Sequence, residues 1–303
     1  MLKVLSYSKF LIGASLAIIT AGLVIIFTYG FKLSIEYTGG SVIDISKNEL
    51  NHEEVVSSLG KFFDEDRIEH KSIEVGKDYI SIKFNEADSN KILEVKQKIS
   101  TKFPNYKIIN VETIGSTFGM EFFKNSVLAI VLSLLGILAI VTFSFWNIPD
   151  KYFSYHFGIG AIVAMLHDVL IVVSTFSLLG YYYNVEIDGL FLTAVLTVIG
   201  FSINDTIVVY DRIRENLIKF NKEMSFEDIC NHSIFETLNR SLVTSFVVIF
   251  IMFSLFLLGG ESIKYFALAL VVGISAGTYS SIFIATPFVL FLNKKFNRNN
   301  SKN

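Results

Sequence analysis

The chain has 303 residues, 52% of them hydrophobic and 18% charged, with a formal net charge of −2. Its mean hydropathy is +0.53. This balance gives no electrostatic footprint for nucleic acid, and the single cysteine, Cys230, excludes an intramolecular disulfide and a metal site built on thiolates. The five histidines are scattered without metal-ligand spacing, and no Gly-rich phosphate loop, Walker lysine or nucleophilic triad is visible. No cofactor is called for, and the expectation is a protein that is not an enzyme.

Charge is concentrated in residues 32–121, 210–240 and the tail after 292, with long apolar runs elsewhere. That pattern predicts a polytopic α-helical membrane protein with one soluble insert. Residues 1–31 read as the N-terminus and first transmembrane helix. The run Phe10 to Phe31 follows Lys3 and Lys9, exceeds a typical signal-peptide core and lacks a clear cleavage site, so it predicts an uncleaved anchor. Residues 32–121 alternate differently. Ser41–Ser46 reads as a strand, His52–Phe63 as a helix, and Arg67–Val75 and Tyr79–Phe84 as strands joined by a turn at Gly76-Lys77-Asp78. Ala87–Phe103 reads as a helix with Ile92, Leu93, Val95 and Ile99 inward, ended by Pro104. Ile108, Ile109 and Val111 close the series as a strand. The order is β-α-β-β-α-β, a ferredoxin-like α+β domain outside the membrane. Residues 122–292 predict a five-helix transmembrane bundle, with spans at about 122–145, 157–179, 187–210, 241–258 and 264–292, each long enough for a hydrocarbon core of roughly 30 Å. Residues 293–303 form a basic tail.

Lys and Arg set the orientation. The N-terminus, the segment holding Arg212, Arg214, Lys219, Lys222 and Arg240, and the tail are rich in them. The other short loops offer Glu186, Asp188 and Glu261, with Lys264 at an edge. Both termini and the Cys230 loop are therefore expected in the cytoplasm and the insert outside. Small residues at four-residue steps, at Gly13, Ala17 and Ala21, at Gly160 and Ala164, and at Gly273 and Gly277, allow close helix approach.

Asp205 lies inside the apolar run, flanked by Ile203, Ile207, Val208 and Val209. A charge at that depth costs roughly 3 kcal/mol or more, and intramembrane ionisable groups mark ion pathways. A rise of 1.5 Å per residue puts Asp205 about 25 Å along its span from Asp188. Arg240 opens the fifth span from the same side, so an Asp205–Arg240 pair is expected, against the alternative that Arg240 snorkels to the surface. Asn204 and Thr206 flank the aspartate, and Thr237 and Thr244 share the arginine's face as possible hydroxyl donors. Asp168 follows Gly160 and Ala164 on the close-packed face of the third span, at mid-depth. Its neighbour His167 is expected to be a hydrogen-bonded packing residue that does not face it, because adjacent helix positions do not face each other. Asp211, Arg212, Arg214 and Glu215 read as a solvated helix extension. With no nucleotide site, the energy source consistent with buried carboxylates is a proton or sodium gradient.

Ser34–Asp44 (SIEYTGGSVID), Ile114-Gly115 through Gly119-Met120-Glu121, Ala161–Leu170 (AIVAMLHDVL), Gly200–Asn216, Thr237–Ser245 (TLNRSLVTS), Gly259-Gly260-Glu261, Phe266–Leu270 and Gly277–Ser281 (GTYSS) occur in the order of the SecF family of protein-export membrane proteins. The chain resembles that family over nearly its whole length. Glu36 and Tyr37 stand where the family usually has Asp and Phe, and before the third span, at Asn147–His156, Lys151 replaces a frequent basic pair. The resemblance implies membership of the resistance-nodulation-division superfamily. It also implies a complex with SecD in the bacterial cytoplasmic (inner) membrane, beside the SecY–SecE–SecG channel, with YajC a further candidate and unfolded exported polypeptide as client. It implies use of the proton or sodium gradient, with Asp205 and Arg240 at the ion-relay positions and Asp168 nearby. Two alternatives remain open: a small-molecule exporter of the same superfamily, and a passive assembly factor of the translocase.

Overall fold

In the computed structural model, residues 8–46, 52–66, 68–76, 79–85, 88–145, 154–220 and 223–300 are described. Arg67, Lys77, Asp78, Ala87, Lys151 and the end of the tail lie outside them. The chain divides into two compact units, Leu33–Val127 and the remainder.

In the first unit, α2 (Ile35–Thr38) precedes β1 (Gly40–Ser46), α3 (His52–Glu65), β2 (Ser72–Val75), β3 (Tyr79–Phe84), α4 (Ser89–Lys102) and β4 (Ile108–Ile114). The strands form one antiparallel sheet in the order β2-β3-β1-β4, the ferredoxin-like arrangement that the β-α-β-β-α-β reading anticipates. Ile43, Ile45, Ile80, Ile82 and Phe84 from the sheet are buried against Leu59, Phe62 and Phe63 of α3 and Ile92, Val95 and Ile99 of α4. Asp88 starts α4 by accepting the Asn90 amide on its carboxylate, at 2.9 Å.

Two local expectations need correction, and one strand carries an irregularity. Leu93 is 52% exposed, because the helical period turns it away from the stripe through Ile92, Val95 and Ile99. In β4, Ile109 is 59% exposed as the extra residue of a β-bulge, where the register with β1 passes from Asp44–Asn110 to Ile45–Ile108, so that Ile108 and Val111 both pack on the core. Finally, β2 begins at Ser72 and not near position 67. Within 68–70, Ile68 packs on the core edge outside the ladder, and pairing to β3 resumes at Lys71, whose amide donates to the Lys83 carbonyl at 2.7 Å.

The joint where this unit's chain enters and leaves is unusually close. Gly39 has φ +74°, and a Cβ there would stand 2.6 Å from the Ser116 Cα. A Cβ on Gly119 would stand 2.8 Å from the Gly39 nitrogen and 2.9 Å from the Tyr37 oxygen. Tyr37 lays its ring against Phe122 and Phe123, at centroid distances of 5.1 and 6.1 Å. Two sequence signatures some eighty positions apart thus form one piece of packing. The Lys102 ammonium, 2.9 Å from Glu65, holds that carboxyl below its usual range. Excised as residues 32–118, the module is expected to unfold cooperatively. Glu65 should titrate low in it, and Lys102→Met should return the titration to the ordinary glutamate range. The linkage is present above the unfolded-state pKa and is lost as pH falls through the folded one. Carboxyl-resolved NMR titration of both forms checks the sign.

Among the described residues, six helices are long and apolar enough to cross a bilayer. They are α1 (Ser8–Tyr29), α5 (Ser116–Ser144), α6 (Ser154–Tyr183), α7 (Gly189–Phe220), α8 (Phe226–Leu258) and a last helix built from α9 (Glu261–Ser280), a π-helical turn (Ser281–Ala285) and α10 (Thr286–Asn300). Asp188 starts α7 by accepting the Phe191 amide, at 2.8 Å, and Ser225 caps α8. The charged segment expected as a loop is mostly helix. α7 and α8 run on through it because Ile213, Leu217, Ile229 and Ile234 extend the buried stripe past the apolar runs. Cys230 accordingly sits buried on α8 and not in a loop. There Arg212 makes a two-toothed pair with Glu236, at 2.7 and 2.8 Å, tying α7 to α8.

The small-residue steps are used unevenly. Nothing lies within 4 Å of a Cβ placed on Gly13, and Ala17 and Ala21 are exposed. The close approach of α1 to α6 is instead at Gly22 against Ser174. Gly273 meets Val198, and Gly277 meets Ser202, where a Cβ would stand 3.1 Å from the serine Cβ. Those two glycines bring α9 against α7 at the level of the acidic residues.

Candidate functional site

Asp168 is fully buried, as its place four residues after Ala164 on the close-packed face of α6 dictates. A carboxylate there must be met by donors. Its Oδ2 accepts the Ser202 hydroxyl of α7 at 2.6 Å and the Ser280 hydroxyl of α9 at 2.8 Å. Its Oδ1 lies 2.9 Å from His167 Nδ1. The expectation that His167 packs away from its neighbour is therefore corrected. The two Cβ atoms diverge, but Nδ1 sits close to the backbone and the short side chains meet at their tips. The ring also stacks on Tyr279, with centroids 6.1 Å apart and planes 28° apart, and Tyr279 accepts the Ser15 hydroxyl of α1 at 3.0 Å.

Asp205 lies one turn beyond Ser202 on α7 and is also buried. Its Oδ2 accepts the Ser281 hydroxyl at 3.0 Å. The Ser241 hydroxyl of α8 approaches the same carboxyl but makes no contact with hydrogen-bond geometry. Consecutive residues, Ser280 and Ser281, thus serve carboxylates on two different helices. Adjacent helix positions point about 100° apart, so the two hydroxyls can reach different helices, and a π-helical turn begins at Ser281. Its extra residue per turn lets the Thr286 hydroxyl reach the Ser281 carbonyl five residues back, at 3.2 Å. Such turns are often found at functional positions. Each serine also has a second acceptor on its own helix: the Gly277 carbonyl at 3.2 Å for Ser280, and the Thr278 carbonyl at 3.1 Å for Ser281.

The other candidates fall differently. Arg240 is exposed on α8 and its guanidinium has no hydrogen-bond or ionic partner among the described residues, so the structure does not bring it to Asp205. The buried stripe of α8 is Thr237, Ser241 and Ser245, and Arg240 stands one position off it. Thr237 turns its hydroxyl to its own helix, at the Ser233 carbonyl, 3.0 Å away. Thr244 is exposed beside Arg240 and donates to the Arg240 carbonyl at 2.9 Å. Thr206 is buried and donates to the Ser202 carbonyl at 3.0 Å, while Asn204 is exposed. Sequence reasoning missed Ser202, Ser241, Ser280 and Ser281. A faint signal existed for Ser202, three positions before Asp205 and so on its face. Among the described residues, no group of His, Cys, Asp and Glu is arranged to hold a metal ion.

Among the described residues, six apolar helices with an α+β insert between the first two define a multi-pass membrane protein, with two carboxylates buried in its helices and held by serine hydroxyls. The family described as protein export membrane protein SecD/SecF, C-terminal, matches residues 94–295. The protein translocase subunit SecF of Thermobaculum terrenum is 40% identical over 298 residues, covering 94% of this chain and 92% of that one. That of Anaerolinea thermophila is 33% identical over 289 residues, covering 95% and 92%. The chain belongs to the SecD/SecF family of protein-export membrane proteins, on its SecF side. The crystal structure of SecDF from Thermus thermophilus, a translocon-associated membrane protein, superposes with a TM-score of 0.82 at 31% identity. That match covers 96% of this chain and 38% of that one. A second SecDF structure, in a super-membrane-facing form, gives 0.69 at 30% identity, over 99% of this chain and 40% of that one. The chain therefore spans well under half of either SecDF chain.

Proposed function

We propose that this chain is one half of an ion-driven pump in the bacterial cytoplasmic membrane. It pairs with SecD and helps the SecY–SecE–SecG channel complete export of unfolded polypeptide. The observation that carries the reading is the pair of buried carboxylates, Asp168 and Asp205, held by the adjacent serines Ser280 and Ser281 where the π-helical turn of the last span begins. Carboxylates buried in a membrane bundle are costly and characteristically serve ion movement, and a passive assembly factor would have no use for two. The SecDF chains are more than twice as long as this one, which fits a missing half supplied by SecD. Arg240, exposed and unpaired on α8, is available to that half and completes the relay from there. Both termini lie in the cytoplasm and the α+β module lies outside, where it meets the exported chain.

The test is export in energised membrane vesicles containing this chain and SecD. Collapsing the proton gradient, or separately the sodium gradient, with an ionophore is expected to remove the stimulation due to this chain while the ATP-driven step persists. Stimulation that survives collapse of both gradients would return the scaffold reading.

A further inference from the structure

We infer that His167 is a proton-carrying member of the Asp168 site, forming with that aspartate a dyad that takes up one proton through the imidazole's outer nitrogen. The inference rests on the reading of Asp168 as an ion site. His167 is 3% exposed. Its Nδ1 is engaged by Asp168 Oδ1 at 2.9 Å, while its Nε2 is buried with no hydrogen-bond partner among the described residues. A buried ring nitrogen without a partner is uncommon and asks for an explanation.

The titratable groups that His167 meets are Asp168 on its own helix and Tyr279 from α9. From α1 and α7 come only hydroxyls, and these act one step removed: Ser15 through Tyr279, and Ser202 through Asp168. The Asp168 carboxylate is already held by two serine hydroxyls on Oδ2, so its Oδ1 is the atom left for exchange with the ring.

The proton count closes. The resting pair is a carboxylate with a neutral ring protonated on Nδ1. A proton arriving at Nε2 makes an imidazolium, and the Nδ1 proton then passes to Oδ1. The product is a carboxylic acid beside a neutral ring protonated on Nε2, one proton richer. Release runs through the same atoms in reverse. The two tautomers are related by which nitrogen the aspartate fixes.

His167→Asn is the decisive variant, because its side-chain amide keeps a donor near the Nδ1 position and cannot titrate. Gradient-driven export in SecD-containing vesicles is expected to fall by roughly ten-fold or more. The imidazole-dependent limb of its pH profile should disappear, and the ATP-driven step should remain. Full gradient-driven export in His167→Asn would overturn the inference, since a hydrogen-bond donor would then suffice. Full export in Asp168→Asn would overturn the ion-site reading itself and this inference with it. If His167→Asn fails to accumulate in the membrane, nitrogen NMR of the histidine-labelled wild-type complex decides, the ring being assigned through its contact with Tyr279. An exchange of tautomer or charge with pH that is abolished in Asp168→Asn is expected, and a ring fixed in one tautomer at every pH would overturn the inference.

Discussion

Asp205→Asn is expected to leave the protein folded and bound to SecD while cutting gradient-dependent export by roughly ten-fold or more. The surroundings of Asp205 make this a clean substitution. Asparagine keeps the volume and an oxygen that can accept the Ser281 hydroxyl, which now stands 3.0 Å from Oδ2. One of its two new amide hydrogens can find an acceptor in the Ser241 hydroxyl, which is buried without a partner among the described residues. The variant thus loses titration and charge at a small cost in unsatisfied hydrogen bonding. Export should be read in vesicles with and without an ionophore, alongside co-purification of SecD at equal protein levels. Normal ionophore-sensitive export by Asp205→Asn would remove this residue from the relay.

Gly119→Ala is expected to be strongly destabilising. The new Cβ would sit 2.8 Å from the Gly39 nitrogen and 2.9 Å from the Tyr37 oxygen. Both are main-chain atoms that cannot turn aside, and Gly39 itself occupies a positive φ that side chains disfavour by roughly 1–2 kcal/mol. Overpacking costs about 1–3 kcal/mol where side chains can yield, and here they cannot, so the loss belongs at or above that range. Gly136→Ala, on the same helix with nothing within 4 Å of its added Cβ, is the matched control and should be neutral or stabilising by roughly 0.5–1 kcal/mol. Thermal unfolding of the two purified variants, followed by loss of monodispersity in detergent, makes the comparison. Equal midpoints would show that the joint yields more easily than its geometry suggests.

The parts of this fold legible in the sequence are those written as periodicity. Alternation in Val42–Ile45 and Tyr79–Phe84 and the helical spacing of His52–Phe63 identified the α+β module, and the apolar runs identified the spans. Asp168 and Asp205 were legible because a charge in an apolar run is conspicuous. Their partners were not. Serine is common in membrane helices, and its hydroxyl is usually satisfied by a carbonyl of its own helix, as Thr206 and Thr237 show. Only the packing of α9 on α7 tells Ser280 and Ser281 apart from such residues. The π-helical turn, which begins at Ser281, carries no pattern at all in SIFIA. Arg240 shows the complementary limit. Matching depths along two helices predicts level, not direction, and a one-residue step of about 100° separates exposed Arg240 from buried Ser241.

The second acceptor kept by each clasping serine sets how cheaply the site can change state. A hydroxyl has one hydrogen to give. While the carboxylates are charged, Ser280 and Ser281 spend it on Asp168 and Asp205. Once a carboxylate is neutralised, the same hydrogen can swing to Gly277 or Thr278 of its own helix, both already within 3.2 Å. Neither swing leaves a donor stranded, and neither requires the backbone to unwind. Because the two serines are neighbours on one turn, a displacement of that turn is felt at both acids. Linkage then requires the influence to run equally in both directions: whatever the loading of one acid does to the affinity of the other, the other returns in the same measure.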